Sequence, residues 1–112
     1  MPSAPMKSHI RWTVPLTGEQ WEALPGSRQG LTARLADESI PVTFSVILLF
    51  PPVVSSPAEQ DVELQLLAPD RLPDVAERLS AGTRLRIFRG PRPVADCDVV
   101  ATNGPAQHGE AV

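Results

Sequence analysis

The segment 82–101, GTRLRIFRGPRPVADCDVVA, constrains the fold of this chain more than any other stretch. Apolar and charged residues alternate on both sides of its Gly/Pro-rich centre, and this period of two is typical of half-buried strands joined by a turn. We expect a hairpin with a five-residue loop over 89–93, which sets apolar side chains opposite apolar ones and arginines opposite aspartates. The predicted pairs are Phe88 with Val94, Ile87 with Ala95, Arg86 with Asp96, Leu85 with Cys97, and Arg84 with Asp98. A shift by one residue would lose these matches, so the sequence predicts the register as well as the hairpin.

The same alternation predicts further strands before the hairpin. They cover 9–15, 30–37, 40–50 and 61–67. The second half of the strand over 40–50 carries apolar residues on both faces, which indicates cover from two sides, as in a closed barrel. Pro41 suits the beginning of that strand, because proline cannot donate to a central ladder. These short strands and frequent turn signals predict an all-β fold, a small six-stranded antiparallel β-barrel with one or two short helical turns in the connections.

Two of the connections carry helical signals. Thr17 and Gln20 have the spacing of a capping box, which predicts one or two helical turns, although an irregular loop would fit the same residues. A longer helix is predicted over 70–81, where Pro73 suits the first helical position and Gly82 provides the stop. The apolar sides of these helices are formed by Trp21 and Leu24 in the first, and by Leu72, Val75, Ala76 and Leu79 in the second.

The length of 112 residues suits one domain with a modest core. We expect a single barrel domain over 9–102, flanked by disordered tails at 1–8 and 103–112. Cys97 is the only cysteine, so no intramolecular disulfide can form, and we expect a reducing, cytoplasmic setting. The N-terminal residues lack the apolar core of a secretory signal, and the apolar run over 42–50 is too short to cross a bilayer.

Residues that carry catalysis are scarce in this sequence. His9 and His108 lie in or beside the terminal segments, and we expect no contact between them. Neither a G-x-S-x-G nucleophile motif nor a glycine-rich phosphate-binding motif occurs. Cys97 is expected to face inward as a small buried hydrophobe, and Asp96 and Asp98 are expected to pair with arginines rather than with a metal. We therefore expect no enzyme, cofactor, metal site or small-molecule substrate.

Arginines dominate the basic residues. Lys7 is the sole lysine among 10 cations, and four arginines lie in one nine-residue stretch of the hairpin. Codon bias in a GC-rich genome would explain this as well as selection for guanidinium chemistry, and the net charge of −3 disfavours a dedicated nucleic-acid binder. A Gly/Pro loop between arginines can hold a phosphate or carboxylate, although a solvated hairpin tip would have the same sequence. The candidate binding residues are Arg84, Arg86, Arg89, Gly90 and Arg92.

The hairpin resembles the last hairpin of the C-terminal β-barrel domain of translation elongation factor Tu, whose pattern is roughly G-L-R-F-x-I-R-E-G-G-R-T-V-G-x-G-x-V. The two agree, without gaps, at Gly82, Arg84, Ile87, Gly90, Arg92, Val94 and Val99, with a conservative Leu85. An upstream strand that ends in Pro69 also has a counterpart, so that the similarity covers about a third of the chain. The sequence departs from the pattern at Arg89, which replaces a glutamate, and at Pro91, Pro93, Ala95 and Cys97.

In this family the barrel contacts the T stem of aminoacyl-tRNA, the exchange factor and the GTPase domain. Only Gly90 matches the family's Glu-Gly pair at the tRNA contact. Nothing in the sequence resembles the GTP-binding domain, so the resemblance implies a stand-alone barrel that cannot hydrolyse GTP. A shared fold carries function only weakly. We expect a non-catalytic module that binds a protein partner, and the alternative is an RNA-binding module that sets the hairpin arginines against a phosphate backbone.

Overall fold

The computed structural model describes residues 4–37, 42–54, 56 and 58–102, which form the predicted closed antiparallel barrel. Its strands are β1 (Met6–Trp12), β2 (Arg28–Leu35), β3 (Phe44–Leu49), β4 (Glu59–Leu66), β5 (Arg84–Arg89) and β6 (Arg92–Thr102). The order around the barrel is β1-β4-β3-β2-β5-β6, and β6 pairs with β1 to close it. Two short helices lie in the described connections, α1 (Gly18–Ala23) and α2 (Pro73–Arg78).

Alternate side chains of the strands fill the barrel, which is why a period of two in the sequence predicts this fold. Ile87 and Cys97, on neighbouring strands, are both fully buried, as the hairpin pattern predicts. The other fully buried large side chains of the strands include Ile10, Val46, Leu48, Leu64, Leu66 and Leu85. Burial of each large apolar side chain stabilises the fold by about 1.5–3 kcal/mol relative to exposure.

The two ends of the barrel are built from different connections. At one end β1, β3 and β5 stop and β2, β4 and β6 begin, so this end also holds α1 and the hairpin turn, and we call it the turn end. At the other end, the α2 end, α2 connects β4 to β5. Val75 and Leu79 are 1% and 6% exposed there and pack against the core. The α2 end is therefore closed by an apolar helix face, whereas the stacked rings of Trp12 and Phe50 lie at the turn end.

The capping box predicted for α1 is complete. Thr17 Oγ1 accepts a hydrogen bond from the backbone N–H of Gln20 at 3.1 Å, and Gln20 Oε1 accepts one from the backbone N–H of Thr17 at 2.9 Å. Each bond satisfies a backbone donor that the first turn of a helix leaves free. Leu24 is buried and Trp21 packs partly buried against the core, so the apolar side of this helix is confirmed.

The second helix is three residues shorter at each end than the predicted 70–81. Pro73 occupies the first helical turn, and Leu72 before it has φ −133° and ψ 57°, outside the helical region, which a following proline disfavours. The residues just upstream form a separate 3-10 turn, Pro69–Arg71. The helix ends at Arg78, whose carbonyl accepts a hydrogen bond from Thr83 Oγ1 at 2.7 Å.

The first strand lies nearer the N-terminus than predicted. It covers 6–12 rather than 9–15, so its first three residues belong to the barrel and not to a tail. The strand stops early because the backbone N–H groups of Thr13 and Val14 both donate to the carbonyl of Val94, at 2.9 and 3.2 Å. A ladder cannot continue where two successive donors share one acceptor.

The three middle strands are displaced from their predicted bounds. β2 and β4 begin two residues earlier than predicted, at Arg28 and Glu59. These residues precede the predicted segments, but they pair with residues of β3 and β1. β3 begins at Phe44, later than predicted, and all three strands end one or two residues early. Pro41 lies outside the described residues, as do the remaining predicted tail residues 1–3 and 103–112.

Four of the five predicted hairpin pairs are confirmed, and the pair nearest the turn is wrong. The observed pairs are Arg84 with Asp98, Leu85 with Cys97, Arg86 with Asp96, Ile87 with Ala95, Phe88 with Pro93, and Arg89 with Arg92. Val94 is an extra residue on β6, and this β-bulge leaves Val94 and Ala95 both buried. The loop is therefore two residues, Gly90 and Pro91, instead of five.

Candidate binding site at the hairpin turn

The tight turn between β5 and β6 presents two arginines side by side. Arg89 and Arg92 form the last cross-strand pair, and both are exposed. Gly90 has φ +61°, a left-handed conformation that glycine adopts without strain, and the ring of Pro91 fixes a negative φ after it. A positive φ followed by a negative φ is the order of dihedral angles in a type II′ turn, whose twist matches the flanking strands. Neither arginine forms an ion pair with any residue that the structure describes.

A cleft of about 380 Å³ lies beside this turn. Its apolar lining comes from Trp12, Val14, Leu16 and Val94, and its cationic lining from Arg89 and Arg92. Val14 is 38% exposed, so part of the apolar wall faces solvent. Ligand pockets usually measure about 300–1,000 Å³, and a cleft at the small end of that range has room for a few side chains.

Two buried polar side chains at the turn end lack hydrogen-bond partners among the described residues. Trp12 is 8% exposed and stacks on Phe50 with ring centroids 6.3 Å apart, and its Nε1–H has no acceptor. Gln60 is 7% exposed, and neither its Oε1 nor its Nε2 has a partner. Because Gln60 pairs with Ile10, Trp12 is its diagonal neighbour on the inner face. Buried polar groups without partners are uncommon in folded proteins, and one more such atom, Arg34 Nε, lies near the α2 end of β2.

Gln60 is the residue of this region that sequence reasoning missed. The predicted strand starts at residue 61, which leaves Gln60 in a polar loop. The signal that could have found it is parity, since Gln60 follows the same alternation as the inward residues Val62 and Leu64. A polar residue on that parity, at the end of a strand, indicates a barrel mouth rather than a loop.

The structure divides the five predicted site residues into two groups. The turn group is Arg89, Gly90 and Arg92, and the strand group, on the outer face of β5, is Arg84 and Arg86. Arg84 Nε donates to Asp98 Oδ1 at 2.8 Å, and this hydrogen bond raises the pKa of Arg84. Arg86 lies opposite Asp96 on one side and Arg34 on the other, and it forms no ion pair within the described residues. The predicted ion pair is thus confirmed for Arg84 and is wrong for Arg86.

Charged side chains of both signs form rows around the outer surface of the barrel, and neighbours in these rows are opposite in sign except for Arg34 and Arg86. One row crosses five strands through Arg34, Arg86, Asp96, Arg11 and Glu59. The next row crosses four strands through Arg84, Asp98, His9 and Asp61. Carboxylates therefore interrupt the cations of the strand group, and these rows do not form the continuous positive strip that a phosphate backbone requires.

The histidine and the cysteine in the described residues are both engaged in the fold. His9 Nδ1 lies 3.0 Å from the carboxylate of Asp61, and His9 Nε2 lies 3.4 Å from that of Glu59. The hydrogen bond with Asp61 raises the pKa of His9, and partial burial opposes the rise. Cys97 faces inward as predicted, and burial raises the pKa of its thiol to about 12, so the thiol stays protonated at neutral pH. His108 lies outside the described residues.

Within the described segments, no group of three or more His, Cys, Asp and Glu side chains could hold a metal ion. No helix in that part of the chain is long and apolar enough to cross a membrane. No family model, curated protein or solved structure matches this chain. The resemblance to the elongation factor Tu barrel therefore depends on the sequence of the hairpin and of the strand before it.

Proposed function

We propose that this protein is a non-catalytic cytoplasmic module, similar to the C-terminal barrel of elongation factor Tu, that binds a protein partner through its turn end. The observation that carries the proposal is the pair of exposed arginines, Arg89 and Arg92, which form no ion pair with the described residues and lie beside a partly apolar cleft. Arginine and tryptophan contribute disproportionately to protein recognition, and Trp12 lines the same cleft. Cations, an aromatic ring and apolar surface thus meet at one place.

The closed barrel supports recognition by side chains rather than by strand addition. Each described strand has a hydrogen-bonded neighbour on both sides, so these strands offer a partner no free edge. A partner therefore has to be recognised at an end of the barrel or on its outer face. The turn end is the favoured place because its arginines are not already satisfied within the described part of the fold.

The surroundings of Cys97 and His9 support the non-catalytic and cytoplasmic parts of the proposal. Cys97 is a free, buried thiol with its pKa raised to about 12, which is unlike the exposed thiolate of a nucleophile. A free thiol is also compatible with a reducing compartment. His9 is held between carboxylates on the outer surface, away from the cleft.

RNA binding by the hairpin is the alternative function. It is supported by four arginines within one hairpin, of which Arg86, Arg89 and Arg92 form no ion pair among the described residues. It is opposed by Asp96 and Asp98 on the adjacent strand and by the net charge of −3. Charge alternation on the barrel surface favours the protein partner over the phosphate backbone.

The proposal is tested by affinity capture with the full chain as bait, from an extract of the cells that make it. The double variant Arg89→Ala/Arg92→Ala is compared with Arg71→Ala, a matched control because Arg71 is an exposed arginine at the α2 end. We expect the wild type and the control to retain one protein in stoichiometric amount, and the double variant to lose it about tenfold or more. Capture that is equal for all three baits, or no stoichiometric protein at all, would contradict the proposal.

A titration with tRNA separates the alternative from the proposal. We expect no measurable binding at low salt. An RNA-binding module would instead bind, and its affinity would fall steeply as salt rises, by a logarithmic slope of about 0.7–0.9 for each phosphate neutralised. Binding of that kind, if lost in Arg89→Ala/Arg92→Ala, would replace the protein partner with RNA.

A further inference from the structure

We infer that the cleft at the turn end binds a short extended segment of a partner protein in which a carboxylate side chain stands next to an apolar one. This inference rests on the proposed function and specifies the chemistry of its ligand. It is carried by three observations on separate parts of the cleft, namely the paired guanidinium groups, the open apolar wall, and a buried donor without an acceptor.

The two arginines define the acidic part of the ligand. Arg89 and Arg92 face each other across the two-residue turn, so their guanidinium groups start from neighbouring backbone positions. A guanidinium presents a planar fork of donors that matches the two oxygens of a carboxylate. No described carboxylate occupies these forks, so a ligand does not have to displace an internal partner. The turn is also held by Gly90 and Pro91, which keeps both arginines on one side of the cleft.

The apolar wall defines the rest of the ligand. Val14 and Leu16 leave apolar surface facing the cleft, and Val94 forms its base at the bulge of β6. Covering such surface favours an apolar side chain over water. A volume of about 380 Å³ admits a few side chains, so the ligand is a short segment rather than a whole helix face.

Trp12 supplies the third observation, independent of the arginines. Its side chain is more than nine-tenths buried and lines the cleft, yet its Nε1–H has no acceptor among the described residues. An indole N–H is a donor only, so whatever satisfies it must bring an acceptor oxygen. Nε1 itself has almost no accessible surface in the free protein, so an oxygen of the bound segment reaches it only if the ring moves, and the indole signal of Trp12 reports that movement.

An acidic residue beside the same cleft favours one carboxylate over a polyanion. Gln20 of α1 lines the cleft, and the exposed Glu19 precedes it in the first turn of that helix. The charge of Glu19 repels a phosphate backbone that extends past the arginines, while a single carboxylate between the two arginines is compensated locally. The occupant is therefore a peptide segment rather than a nucleic acid.

The inference is tested by NMR with defined peptides and the full chain. The probe is acetyl-Ala-Leu-Glu-Leu-Ala-amide, and the matched control peptide has glutamine in place of glutamate. The chain has two tryptophans, so two indole N–H signals are expected, and a Trp21→Phe variant assigns the remaining one to Trp12. We expect the acidic peptide to shift the Trp12 signal and to bind about tenfold more tightly than the glutamine peptide.

Variants locate the contact within the protein. Arg89→Ala/Arg92→Ala should weaken binding of the acidic peptide about tenfold or more, while Arg71→Ala leaves it unchanged. Equal binding of the two peptides, a Trp12 signal that does not move at millimolar peptide, or tighter binding of a decauridylate to the same residues would each overturn the inference.

The two tests fail in different ways. If capture recovers a stoichiometric partner that depends on Arg89 and Arg92 but the peptides do not bind, the inference on the ligand falls and the proposed function stands. If capture recovers no such partner, the proposed function falls, whatever the peptides do.

Discussion

The two ends of this barrel are made from the same strands, but they differ in how many of their arginines have a carboxylate partner and in how the barrel is closed. At the α2 end, Val75 and Leu79 fill the opening, Arg78 donates to Asp37 at 3.1 Å, and Arg84 of β5 is paired with Asp98. At the turn end the arginines of the hairpin have no described carboxylate partner, and the polar atoms of two buried side chains are unsatisfied. Arg34 Nε, near the α2 end of β2, is also buried without a described partner, so the turn end is distinguished by its exposed arginines beside an open cleft.

The contrast separates stability from recognition. Apolar closure and satisfied charges lower the free energy of the folded state without a ligand. Buried donors without acceptors cost stability, whereas exposed arginines are solvated by water and cost little. Substitutions of the apolar residues that close the α2 end should therefore change the free energy of unfolding, and substitutions of the exposed arginines at the turn end should change binding.

The largest expected effect on stability is at the α2 end. Leu79→Ala should lower the free energy of unfolding by about 2–4 kcal/mol, because it leaves a cavity under the helix that closes the barrel. The double variant Arg89→Ala/Arg92→Ala should change it by less than about 0.5 kcal/mol, since neither side chain makes a described ion pair. Urea unfolding of both variants checks the comparison, and equal losses would remove the distinction between the ends.

A change at the turn end should raise stability. Gln60→Met replaces a buried, unpartnered amide by an apolar side chain of similar length, so the free energy of unfolding should rise by about 1–2 kcal/mol. Glu63→Met, at an exposed position on the outer face of the same strand, serves as the control and should change it by less than about 0.5 kcal/mol. A lower urea midpoint for Gln60→Met would show that the amide has a stabilising partner after all.

The backbone conformation of the hairpin turn can be tested by comparing two glycine substitutions. Gly90→Ala should destabilise the fold by about 1 kcal/mol, because a side chain is disfavoured at φ +61°. Gly30→Ala is the matched control, since an added Cβ meets nothing within 4 Å at either position and Gly30 does not have a positive φ. Thermal or urea unfolding distinguishes them, and equal effects at the two glycines would contradict the assignment of the turn.

The smallest expected effect is a pH dependence from the surface row that contains His9. The pKa of His9 is raised by Asp61, so its stabilising contribution is fully present below the unfolded value of 6.5 and is lost as the pH rises through the folded value. His9→Gln should therefore cost more stability at pH 5.5 than at pH 8.5, by less than about 1 kcal/mol because the ring is exposed. Urea unfolding at both pH values measures the difference, and a larger cost at pH 8.5 would reverse the expected sign.

The fold was predictable from the sequence where the pattern is local. The strands of the hairpin are adjacent in the chain, so alternation and charge pairing were enough to predict four cross-strand pairs. The bulge at Val94 was not predictable from this alternation, because two consecutive buried residues break the period of two. Pro93 also has no backbone N–H to donate to the ladder. The bounds of β1 and β4 also depended on partners far away in sequence.

The candidate site was predictable only as a set of arginines. Within the sequence Arg84 and Arg92 are alike, since both are arginines of the same alternating hairpin. They differ in the structure, because Arg84 pairs with the carboxylate of Asp98 on β6, whereas Arg92 lines the same cleft as the apolar segment after β1. Gln60 and Trp12 became part of the site only when β4 and β1 paired, since no local pattern places them together.

A map of backbone amide shifts on the labelled full chain, titrated with the acidic peptide, tests the central claim most directly. The account predicts that perturbed amides cluster at the turn end, in the segment after Trp12, in α1 and in the turn at Gly90, while the amides around Val75 and Leu79 stay in place. Perturbations centred on α2, or spread along the outer face of β5 around Arg84, would contradict it.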